Sequence, residues 1–73
     1  MSYGTVKLWR NDRGFGFIRP DEIGDDIFVH VKDLQHCGLA GLQMGQRVEY
    51  DTMPDRRDST KFRAIDLRIV EAA

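Results

Sequence analysis

The sequence predicts an all-β fold, a small antiparallel barrel of five short strands. Three observations carry this. Five short segments read as strands, by two-residue alternation or by their β-branched and aromatic content. Clusters of Asn, Asp, Gly and Pro with turn chemistry stand between most of them. No apolar stripe of helical spacing is long enough to cover an open sheet, so the strands must cover one another by closing. At 73 residues the whole span 1–73 reads as one domain, with little room for an enclosed pocket.

Residues 5–10, TVKLWR, are the first strand, with Val6 and Leu8 on one side and Lys7 and Trp9 on the other. The NDRG that follows makes a tight turn relieved at Gly14. Residues 14–19 form the second strand, ended by Pro20, and DEIGDD is a loop. DIFVHV, residues 26–31, is the strongest strand, with Ile27, Val29 and Val31 on one face and Phe28 and His30 on the other. Residues 32–45 hold three glycines and no sustained period, which predicts a short helical turn near KDL and then a long loop. QRVEYDTM, residues 46–53, is the fourth strand and PDRRDST a polar loop. KFRAIDLRIV, residues 61–70, is the fifth, with Ile65, Leu67 and Ile69 in register.

The net charge of −1 is unevenly spread. Residues 1–20 carry a balance of +3, residues 21–60 one of −5, and the last thirteen residues one of +1. A local cationic face is enough for an anionic partner, whatever the total. One cysteine, Cys37, allows no internal disulfide, and no apolar run approaches the length of a membrane span. MSYGTVKLWR has no signal-peptide core, so a cytoplasmic location is expected, with no membrane partner. His36 and Cys37 lack a second pair at ligand spacing, so no metal is expected. Asp21, Glu22, Asp25 and Asp26 read as a solvated turn. With no nucleophile–base set either, the chain is not expected to be an enzyme, and no cofactor is implied.

RGFGFIRP, residues 13–20, is the informative stretch. If Ile18, Ile27 and Val29 face the core, then Phe15, Phe17, Phe28 and His30 share the outer face, with Trp9 extending the patch. Exposed rings on a small protein need a partner. Unpaired bases are flat and stack on such rings at about 1–3 kcal/mol each. Gly14 and Gly16 leave the phenylalanines uncrowded, while Lys7, Arg13 and Arg19 stand ready for phosphates. The segment also matches the first six positions of the RNA-binding motif K/R-G-F/Y-G/A-F-V, with Ile18 in place of Val.

In RNA-recognition-motif domains the second apolar motif precedes this one, and two helices back the sheet. Here DIFVHV follows it, and neither helix is found. The chain resembles the cold-shock domain of bacterial cold-shock proteins along nearly its whole length, through GTVKLW, RGFGFI, DDIFVHV, GQRVEYD and RAIDL. That resemblance implies an OB-type barrel that binds single-stranded RNA and DNA with low sequence specificity. It further implies an RNA chaperone acting on translation or transcription termination. It carries binding roles to Lys7, Arg13, Phe15, Phe17, Phe28 and His30. Trp9 joins them through its place beside the patch, and Leu8, Arg10, Arg19, Val31, Leu39, Arg56 and Lys61 flank the site.

The departures from the family pattern bear on affinity. The family's tryptophan position is Leu8, and aromatic positions fall on Val31 and Leu39, so a weaker binder is expected. A monomer is favoured, although the long 32–45 loop permits strand exchange into a dimer. The alternative from another class is a protein-interaction barrel whose aromatic patch receives a peptide or a second copy.

Overall fold

The computed structural model describes residues 1–57 and 60–70. The strands are β1 (Ser2–Arg10), β2 (Phe15–Pro20), β3 (Ile27–His30), β4 (Arg47–Pro54) and β5 (Phe62–Ile69). One short helix, α1 (Val31–His36), lies between β3 and β4. β1 begins earlier than the alternation alone predicts because Ser2, Tyr3, Gly4 and Thr5 pair with Tyr50, Glu49, Val48 and Arg47 of β4. Of the predicted polar loop 54–60, residues 58 and 59 lie outside the described residues, as do residues 71–73.

The strands close in the order β1-β2-β3-β5-β4. Four seams are antiparallel, and the fifth, β3 with β5, is parallel. An odd number of strands cannot alternate in direction all the way round a ring, so one seam of a closed five-stranded barrel must be parallel. It falls between two strands separated by α1 and β4, as it must, because a parallel pair needs a long connection.

Val6, Ile18, Val29, Val48, Tyr50, Ala64 and Leu67 fill the interior, joined by Leu34 of α1 and Leu42 of the following loop. Small barrels have no other way to exclude water from their lumen. Leu34 is fully buried, so truncating it to Ala costs about 2–5 kcal/mol. The helix starts where β3 ends because His30 caps it, its Nδ1 accepting from the Lys32 N–H at 3.1 Å. Behind it, the Leu67 N–H donates to Cys37 Sγ at 3.1 Å and ties the helix end to β5. Among the described residues, no helix is long and apolar enough to cross a membrane.

Two strands break the simple alternation. In β1 the pairing passes from Val6↔Ile18 to Leu8↔Phe17, which leaves Lys7 as the extra residue of a β-bulge. Val6 and Leu8 therefore do not share a face. Leu8 turns outward opposite Phe17, and Trp9 turns inward opposite Gly16. The expectation that Trp9 extends the outer patch is corrected: the indole is half-buried and packs on the core. In β5, Asp66 adopts a positive φ of 51° beside the register shift between Glu49 and Asp51 of β4. Ala64 and Leu67 are buried as a result, and Ile65 does not share its face with Leu67 as the alternation predicted.

Candidate nucleic-acid interface

The outer face of β2 and β3 is built by direct cross-strand pairs, Phe15↔His30 and Phe17↔Phe28. Partners in an antiparallel ladder point to the same side of the sheet, so four rings converge. Phe15 and Phe28 stack with centroids 6.0 Å apart and planes 20° from parallel. Phe17 meets both edge-on, at 6.0 Å from Phe15 and 5.9 Å from Phe28. His30 lies 6.3 Å from Phe28. All four are half-buried, each with a side to solvent. The cap hydrogen bond occupies Nδ1 of His30 as an acceptor, which places the ring proton on Nε2.

The glycines act differently from the sequence expectation. Gly16 points inward, where a Cβ would collide with the Leu8 carbonyl oxygen and come within 2.8 Å of Trp9 Cε3. It exists to let the indole turn into the barrel. Gly41 serves the other side of the same ring, with room for a Cβ only 3.2 Å from Trp9 Nε1. That Nε1–H donates to Asn11 Oδ1 at 3.2 Å. Gly14 takes a positive φ of 70° in the turn, where its N–H reaches the Arg10 carbonyl, and packs beneath Val31.

The charged candidates surround the rings unevenly. Arg10 is the ladder partner of Phe15, and it also lies 3.5 Å from Asp12. Arg13 is exposed in the β1–β2 turn, and Arg19 follows Phe15 and Phe17 on the same face of β2. Lys7 is held by Asp26 at 2.8 Å. Arg56 is exposed in the loop after β4. Lys61 lines a broad groove of about 1100 Å³ that runs from Leu8, Phe17 and Phe28 over the barrel end to Tyr3 and Phe62. The acidic loop 21–26 also lines that groove. It is tethered by Asp21, whose Oδ1 and Oδ2 accept from Nη1 and Nη2 of Arg47, each at 2.6 Å. That hydrogen bonding holds the Asp21 carboxyl below its ordinary pKa.

Of the flanking positions, Leu8 joins the ring face, and Val31 opens α1 above Gly14. Leu39 does not join them: it is half-buried and packs on the core. The sequence reading missed two neighbours. Phe62 is 48% exposed and lines the groove. Arg63 is the β5 residue paired with Phe28. Its place depends on a parallel register between distant segments, which no local pattern signals.

Residues 2–68 match the family described as the 'Cold-shock' DNA-binding domain. The chain belongs to this family. It is 43% identical over 68 residues to the cold shock protein CspA of Rhizobium meliloti, covering 93% of this chain and 97% of that protein. A probable cold shock protein, y4cH, of Sinorhizobium fredii is 41% identical over the same shares of both chains. The cold shock-like protein CspD of Escherichia coli is 47% identical over 51 residues, 70% of this chain and 69% of that one. As a cold-shock domain, the chain is a nucleic-acid-binding protein and not an enzyme. The ring cluster is the surface on which its residue chemistry suits that task.

Proposed function

We propose that this cold-shock domain binds single-stranded RNA or DNA with low sequence specificity and acts as an RNA chaperone. The observation that carries this reading is the cluster of Phe15, Phe17, Phe28 and His30, joined by ring contacts and open on one side. Each ring offers a π-face to any base, which makes the binding tolerant of sequence. A duplex hides its base faces in the stack, so the cluster rewards unpaired strands only. By binding the open form of a marginal hairpin, the protein shifts the hairpin toward that form in proportion to the affinity difference. Lys7, Arg13, Arg19 and Lys61 supply phosphate partners around the rim, and His30 offers Nε2–H to a base. No nucleotide is made or broken.

Titrating a short oligothymidine and a matching duplex tests the reading. The single strand is expected to bind and the duplex to bind weakly except at low salt. A duplex bound as tightly as the single strand overturns it.

A further inference from the structure

Arg63 stands beside Phe28 across the parallel β3–β5 seam. Adjacent strands lie about 4.8 Å apart and ladder partners share a face. Phe28 is thus flanked by Phe17 on one side, centroid to centroid 5.9 Å, and by Arg63 on the other. A base stacked on Phe28 turns one edge toward Phe17 and the other toward β5. The guanidinium is poorly engaged. Among the described residues, its Nη2 meets only the Met53 thioether at 3.2 Å, and its Nε is buried with no hydrogen-bond partner. A thioether is a weak acceptor, so a ligand oxygen or ring nitrogen reaching the Nη side of the fork replaces it with a stronger partner.

We infer that Arg63 reads the edge of the base stacked on Phe28 and gives the site a preference for guanine over adenine at that one step. This rests on the single-strand reading above. Guanine presents O6 and N7 side by side, two acceptors matched to the arginine fork. Adenine keeps N7 but puts the N6 amino group where O6 stands, so donor faces donor. Both are purines with large stacking faces, so exchanging one for the other changes mainly the edge. The remaining steps along the strand stay sequence-tolerant.

The test is a scan. Oligothymidines of about seven nucleotides, carrying one guanine or one adenine at each position in turn, are titrated against the full chain. One position is expected to favour guanine about tenfold. Arg63→Gln is expected to reverse the preference, because glutamine pairs bidentately with adenine N6 and N7. A structural role for Arg63 predicts no such reversal. A flat scan with the unmodified chain overturns the inference, whether or not Arg63→Gln folds. An unchanged guanine preference in a folded Arg63→Gln overturns it too. So does a uniform loss over all sequences with a salt slope shallower by about 0.7, which marks a phosphate contact. Phe28→Ala separates this from the reading beneath it. If that variant loses affinity for every oligonucleotide while the scan stays flat, the single-strand reading stands and the Arg63 inference falls. If the unmodified chain binds no single strand, both fall.

Discussion

The ammonium of Lys7 lies 2.8 Å from Asp26 Oδ2, so the cation of the β1 bulge already has an anion of its own. Arg10 is similarly close to Asp12, at 3.5 Å. Binding a phosphate at either place means exchanging one anion for another, with little net release of counterions. Affinity is therefore expected to fall with salt at a log–log slope of about −2.1 or shallower, the equivalent of three single-strand phosphates. Asp26→Asn is expected to steepen it by about 0.7, whatever it does to the affinity. Titrations at several salt concentrations check both, and a slope steeper than about −4 means that charge and not stacking dominates.

Single replacement of Phe15, Phe17 or Phe28 by Ala is expected to weaken single-strand binding by about 1–3 kcal/mol while the barrel still folds. The rings also hold one another, at about 0.5–1.5 kcal/mol per pair. Phe28 touches Phe15, Phe17 and His30, so Phe28→Ala carries the largest stability cost of the three. Binding titration beside thermal melting distinguishes the two effects. Three variants that unfold instead mean the rings belong to the core.

Gly16→Ala probes the inward turn of Trp9. The new methyl meets a backbone carbonyl and the indole together, and backbone in a paired strand yields little. A loss of about 3 kcal/mol is expected in denaturant unfolding. Trp9, the single tryptophan, is expected to shift its emission to the red as the ring is pushed toward water. An alanine variant as stable as the parent places the indole elsewhere. With the ring turned inward, single-strand binding is expected to alter Trp9 emission less than it would for a ring within the stacking face.

The Asp21–Arg47 pair gives stability a defined acid limb. The hydrogen bond from Arg47 lowers the Asp21 pKa below its ordinary value of 3.8. The folded state thus binds that proton less readily than the unfolded state. Its contribution is complete above the ordinary value and is lost as pH falls through the lower, folded one. Asp21→Asn is expected to be less stable than the parent near pH 6 and to draw level with it as pH falls below the ordinary carboxylate range. A difference that does not change with pH removes the pair from the balance.

Much of the fold was legible because its elements are short and separated by turn residues. The ring face was legible because Phe15, Phe17, Phe28 and His30 alternate with residues that must go inward, Ile18 and Val29 above all. What alternation cannot carry is a place where the period slips. The bulge at Lys7 leaves no mark in TVKLWR, yet it reverses Leu8 and Trp9. The left-handed Asp66 likewise leaves Leu67 in the core and takes Ile65 off its face. Gly16 was the available clue: a glycine on the inner face between two phenylalanines implies something large opposite it, and the indole is what fits. Arg63 was beyond reach for another reason, since its neighbour Phe28 is set by barrel closure.

The parallel seam has a bearing on the order in which this molecule assembles. β1, β2 and β3 follow one another through short turns and can pair locally, bringing the four rings together early. The β3–β5 pairing, registered at Phe28 and Arg63, closes the long loop through α1 and β4, the kind of contact whose entropy cost is paid late. An open seam would leave a half-formed molecule with its stacking rings in place and Arg63 absent from their side. On that order of events, the capacity to hold a base precedes the capacity to tell one purine from another. A bound strand that touches both Phe28 and Arg63 would act as a clasp across the last joint to close.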